Sequence, residues 1–261
     1  MPGRLVERLN ELPRDCDGVA ALLRIALQGR VPERLLSDSL LAEGRWAMLA
    51  NARDVASLEP GWFRRHTIGA DIFSPGRWLA CTLTARFGIA WLNRGIRPGY
   101  LLLGAVLFLC TAFALGWAAM VPGGFAALAC AWLLADAAQS LDRGERAGNA
   151  PAALFLRLEK TFAVLADLAL VLLLTWGIEA SFISWAEQFF VPLVLVGLIW
   201  LVSGLSARRW GALFGDRVLL SLVLGGAALG AVLVPAAQCL VLVLIVCGIA
   251  FSRLGPRLTQ V

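Results

Sequence analysis

The chain has 261 residues, of which 59% are hydrophobic and only 16% charged, with a mean hydropathy of +0.77. Soluble domains carry roughly 25% charged residues, so this composition excludes an ordinary soluble fold and points to a polytopic, all-α membrane protein. The formal net charge of +5 is unevenly spread: residues 1–100 hold 14 Arg against 10 acids, and residues 101–261 hold 9 basic against 8 acidic residues.

The first stretch is charged from its start and shows no short apolar core followed by a small-residue cleavage site, so no secretory signal is expected. Asp15 and Asp17 can cap a helix running through Leu27, and Pro32 can open a second one containing Leu35, Leu36, Leu40, Leu41, Trp46 and Met48. Residues 1–75 therefore read as a small cytosolic helical region, and residues 76–257 as the membrane domain. Arginines offset by 10 acids do not make the basic footprint of a nucleic-acid binder. His66 is the only histidine, which excludes a multi-histidine metal site within one chain. The 6 cysteines are scattered without a close-spaced pair, so they read as small apolar side chains.

Residues 76–95 mix Trp78, Leu79, Leu83, Phe87 and Trp91 with Arg77, Arg86 and Arg94. That mixture is too polar to span a bilayer, and it predicts an amphipathic helix lying in the interface. Pro98 and Gly99 break the chain before the first apolar run. Six runs follow, at residues 101–119, 121–138, 162–178 with a lead-in from Ala152, 189–205, 218–234 and 236–252. Each is near the ~20 residues needed to cross ~30 Å of hydrocarbon. Arg143, Arg146, Arg157, Lys160, Arg208, Arg209, Arg217, Arg253 and Arg257 all fall in alternate loops, whereas those near Pro122, Glu179 and Pro235 carry no Lys or Arg. The positive-inside rule then predicts six spans in a bacterial-type inner membrane with both termini cytosolic. Gly225, Gly226, Gly230 and Ala231 form a small-residue face that suits either packing within the monomer or a homodimer seam.

Residues 132–167 place Asp136, Asp142, Glu145, Glu159 and Asp167 at the edge of hydrocarbon, where unpaired charge is costly. Either a bound cation or basic ligand, or Arg143, Arg146, Arg157 and Lys160 in the same stretch, can balance them. The layout of residues 74–257, an interfacial helix, a proline turn, six spans and acids at the ends of helices 2 and 3, resembles the CDP-alcohol phosphatidyltransferases. Their motif reads Asp, two residues, Asp-Gly, two residues, Ala-Arg, eight residues, Gly, three residues, Asp, three residues, Asp. The resemblance implies that these acids hold Mg²⁺ or Mn²⁺ on the pyrophosphate of a CDP-linked lipid or alcohol, that the last Asp deprotonates the acceptor, and that the protein is a dimer.

Two registers of that motif compete. In the first, Asp136 is the first acid, Gln139 and Ser140 replace the second acid and its glycine, Arg143 falls one short of the arginine, Ala153 replaces the second glycine, and Arg157 and Thr161 replace the last two acids. In the second, Asp142 and Glu145 form the first pair and Ala163 and Asp167 the second, with Arg146, Asn149, Ala150 and Glu159 replacing the glycines and the Ala-Arg. Helix geometry favours the first, since Thr161 is followed by 17 apolar-rich residues and Asp167 by 11. The catalytic candidates are thus Asp136, Asp142, Glu145 and Asp167, and the substrate-binding candidates Gln139, Ser140, Arg143, Arg157 and Thr161. No metal ligand set is assigned. Arg157 at an acid position would repel a divalent ion and could pair with Asp136 in its place, while Asp167 would pair with Lys160 or Arg157.

Three functions follow from this. The chain is a family-like protein of phospholipid metabolism that has lost or altered its metal-dependent transfer and binds membrane lipid as a partner or scaffold, or a diverged active transferase that displaces CMP, or a small transporter or channel subunit. The last is disfavoured by the lack of ionisable residues in the outer halves of the spans.

Overall fold

The computed structural model describes residues 18–30, 32, 35, 37–42, 51–67, 73–146, 153–178, 185–205 and 209–254. Among them are eleven helices and no strand. The expected caps Asp15 and Asp17, the side chains of Trp46, Met48 and His66, and residues 147–152 with Asn149 and Ala150 lie outside the described set.

The chain forms two compact units, Met1–Asn51 and Ala52–Val261. The first holds α1 (Gly18–Gln28) and α2 (Asp38–Ala42). The helix expected to open at Pro32 begins instead at Asp38, where the Leu40 N–H bonds to the Ser37 carbonyl, and Leu35 stands 98% exposed ahead of it.

The second unit holds α3 (Ala52–Thr67), α4 (Pro75–Asn93), α5 (Pro98–Trp117), α6 (Val121–Arg146), α7 (Ala153–Gly177), α8 (Trp185–Leu205), α9 (Arg209–Phe214), α10 (Arg217–Leu229) and α11 (Leu233–Leu254). α3 thus belongs to the second unit, which begins at Ala52. Phe63 explains the attachment. It is 3% exposed and fills a socket whose walls are Gly88 of α4 and Gly144 of α6, where a Cβ on Gly88 would lie 2.6 Å from the ring.

α6 is the hub, packing against α3, α4, α5, α7 and α10, while α8 and α11 pair with each other. Its buried face is built from Gly124, Ala127, Ala131, Ala135 and Ala138, small residues that let backbones approach. A Cβ on Gly124 would sit 3.1 Å from the Ala112 carbonyl of α5. Phe125, Leu128, Leu170, Leu173 and Leu195 fill the spaces that remain.

Helices α5, α6 and α11 are long and apolar enough to cross a membrane. The apolar stretches Gln188–Ser203 of α8 and Arg217–Leu229 of α10 are shorter. The fifth expected run ends early: α10 stops at Leu229, and Gly230 with Ala231 at φ 54° turns the chain so that Val232 N–H reaches the Ala227 carbonyl at 2.9 Å. The α5–α6 turn repeats this device, with Ala119 at φ 60° and Met120 N–H on the Leu115 carbonyl. Both are six-to-one helix stops. In each case a proline, Pro122 or Pro235, falls within the first turn of the next helix rather than making the bend itself.

α4 corrects a second expectation. Its buried face consists of Gly76, Ala80, Cys81, Thr84 and Gly88, while Trp78, Leu79 and Phe87 share the exposed surface with Arg77 and Arg86. Apolar and basic side chains are therefore not segregated to opposite faces. Small residues pack inward because α6 and α10 lie close, and the aromatics are left outside with an arginine stacked on Phe87.

Candidate functional site

The apolar part of α6 gives way to Gln139, Asp142, Arg143 and Arg146, yet the helix runs unbroken to Arg146. These residues recur at spacings of three and four and so share one face, opposite Phe155 and Glu159 of α7. What reads in the sequence as a loop between two spans is thus largely two helices extended past their apolar segments.

Asp142 is buried, and Arg146 one turn on donates through Nε to its Oδ1 at 2.6 Å. Acid before base at this spacing is the favourable order on a helix. Gln139 Nε2 donates across to Glu159 Oε1. Burial pushes the Glu159 carboxyl above its ordinary 4.5, partly offset by the Gln139 bond and by Arg77 and Arg143, while Asp142 adds to the rise. Arg143 is exposed, with its Nε 3.4 Å from the Gln139 carbonyl. Glu145 faces Arg97 at 3.9 Å.

Asp136 lies 3.9 Å from Arg77 Nε of α4. The expected partner, Arg157, does not reach it: Arg157 is exposed on α7, and its carbonyl accepts from the exposed Thr161 hydroxyl at 2.9 Å. Ser140, a substrate-binding candidate, is 0% exposed and its hydroxyl has no hydrogen-bond partner, so it belongs to the helix core.

Asp167 also departs from expectation. Its partners are neither Lys160 nor Arg157, because the side chain points toward α8 and α10. Trp200 Nε1 donates to Oδ2 at 2.7 Å and Arg217 Nη2 at 3.1 Å. Arg217 Nε lies 3.0 Å from Oδ1, close enough for an ion pair but without the alignment of a hydrogen bond, so Oδ1 and Arg217 Nη1 remain unsatisfied. The Asp167 and Arg217 side chains are only 8% and 12% exposed.

Asp216, which the sequence reading passed over, joins two helix starts. Oδ1 accepts from Leu219 N at 3.0 Å as the N-cap of α10, and Oδ2 accepts from Gly76 N in the first turn of α4 at 2.6 Å. An Asp directly before an apolar run is a cap signal, but its second partner, 140 residues away, leaves no local trace. Arg77, Arg97 and Trp200 were likewise invisible as partners, since each reaches the site from a separate element.

Two cavities flank the Asp142–Arg146 pair. One of about 780 Å³ is lined by Arg97, Tyr100, Leu103, Asp142, Glu145 and Arg146 among others. The second, about 410 Å³, is lined by Arg77, Gln139, Arg143, Glu159 and the same pair. The resemblance implies a divalent ion held by clustered acids. Among the described residues no three His, Cys, Asp or Glu side chains are placed to share a metal. The donor set does not fit Mg²⁺ or Mn²⁺: Asp136, Asp142, Glu145 and Asp167 each face a different arginine.

Comparison with known protein families, with characterised proteins and with solved structures finds no match to this chain.

Proposed function

We propose that this is an integral membrane protein with a helix arrangement like that of the CDP-alcohol phosphatidyltransferases, in which metal-dependent transfer has been lost and the polar end serves as a lipid-binding partner or scaffold in phospholipid metabolism. The observation that carries this reading is the pairing of each candidate acid with its own arginine, Asp142 with Arg146 at 2.6 Å and Asp167 with Arg217 at 3.0 Å. A carboxylate that neutralises a guanidinium in a poorly solvated site is a weak ligand for a dication, because binding the ion would leave the arginine charge unpaired. The proposed membrane position has six crossings, α4 at the interface and both termini in the cytosol. The basic residues that follow Tyr100, grouped in alternate loops, support it. A bacterial-type inner membrane and a homodimer belong to the same proposal.

The test is release of CMP from CDP-diacylglycerol by purified protein with a range of acceptor alcohols, with and without Mg²⁺ or Mn²⁺. No metal-stimulated release is expected. Release that depends on metal and is abolished by Asp142→Asn would overturn the reading in favour of a diverged transferase working in the second register.

A further inference from the structure

We propose that the larger cavity, between α5, α6 and α7, holds the headgroup of a zwitterionic phospholipid, a phosphate joined to a primary ammonium, with its acyl chains in the adjoining bilayer. The inference rests on the membrane position given above.

The charges on the wall are two guanidinium groups, Arg97 and Arg146, and two carboxylates, Asp142 and Glu145. Asp142 is buried and takes the Arg146 Nε at 2.6 Å. The other two form a loose pair 3.9 Å apart, with side chains 76% and 37% exposed. Such a pair contributes little to stability, so a ligand can separate it at small cost provided that it supplies both signs of charge. A phosphate can take the Arg97 fork and the remaining Arg146 N–H groups, as guanidinium geometry favours. A primary ammonium can take Glu145. A purely anionic headgroup would set its phosphate against Glu145 without a cation between them, and a purely cationic one would strand Arg97. The zwitterion leaves neither charge alone.

The apolar side of the cavity indicates that the ligand is a lipid. Tyr100 and Leu103, 65% and 58% exposed, stand in the first turns of α5, a helix long and apolar enough to cross a membrane. The cavity therefore passes from charged wall to lipid-facing helix surface without a polar barrier among these residues. Its volume of about 780 Å³ is ample for a phosphate-amine headgroup.

Full-length protein in nanodiscs of equal phosphatidylethanolamine and phosphatidylglycerol, released into native mass spectrometry, tests the inference. Phosphatidylethanolamine should be retained about fivefold over phosphatidylglycerol, the scale of one partly exposed ion pair. Glu145→Gln should bring that ratio close to unity while lipid is still retained, and Arg97→Gln should reduce retention of both lipids. Both side chains are exposed enough for the variants to fold. Equal retention by the wild type, or a ratio unchanged by Glu145→Gln, would overturn the proposal. Displacement of retained lipid by free phosphoethanolamine at matching concentration would also overturn it, by making a soluble metabolite the ligand. A flat lipid ratio in a protein that releases no CMP refutes this inference alone, whereas metal-dependent CMP release refutes the functional reading and leaves the lipid ratio untouched.

Discussion

Replacing Asp167 by Leu should be among the most destabilising single changes in the chain. Arg217 is permanently charged and its side chain is 12% exposed, so the substitution strands a cation inside the bundle and removes acceptors from both Arg217 and Trp200. Breaking a buried pair from one side costs about 3–5 kcal/mol. Burial on both sides means that little solvent screening reduces this figure. Arg217→Met should cost less, because Asp167 keeps the Trp200 N–H as a partner. The double variant, with both charges gone and apolar volume in their place, should return to within about 2 kcal/mol of wild type. Reversible unfolding in mixed micelles, run as a double-mutant cycle, measures all three. Single variants within about 1 kcal/mol of wild type, the range of exposed pairs, or a double variant as unstable as the sum of the singles, would refute the claim that this pair is buried and mutually dependent.

Gly144→Ala would drive a Cβ into the Phe63 ring, 2.8 Å from Cζ, so it should cost about 1–3 kcal/mol and loosen α3, seen as faster proteolysis near Phe63. The penalty should shrink in a Phe63→Ala background. Glu159 binds its proton more tightly folded than unfolded, so this group's contribution to stability is largest at low pH and falls as pH climbs from its unfolded value of 4.5 through the raised folded value. Glu159→Gln should flatten that part of the pH–stability curve, and an unchanged slope would show that the carboxyl is not desolvated. Cysteines introduced at Pro122 and Gln238 should be labelled from outside the cell and one at the exposed Arg143 from the cytoplasm; the reverse pattern would invert the proposed topology.

The all-helical, membrane-type character was legible because long apolar runs dominate composition; α5 and α11 match their expected positions within a few residues, and α6 starts where expected but continues past residue 138 to Arg146. The α10 boundary was not, since apolar content continues through Val232 and the stop depends on backbone geometry at Gly230 and Ala231. At the site, the partners expected for Asp136 and Asp167 are not the ones that packing supplies. Proximity along the chain favoured Arg157 and Lys160, whereas packing brought Arg77 from α4 and Arg217 from α10. The Asp142–Arg146 pair, at four-residue spacing on one helix, is the local exception. Ser140 shows the remaining limit: a hydroxyl between Gln139 and Leu141 looks available for binding, yet its helical phase turns it into the core.

The claim that arginines, rather than a metal ion, balance the acids of α6 and α7 is tested most directly by titrating Mn²⁺ into detergent-solubilised full-length protein and following the electron paramagnetic resonance signal of the free aqueous ion. The signal should be undiminished by stoichiometric protein and unchanged in Asp142→Asn. Stoichiometric loss of that signal, restored by Asp142→Asn or Asp136→Asn, would contradict it.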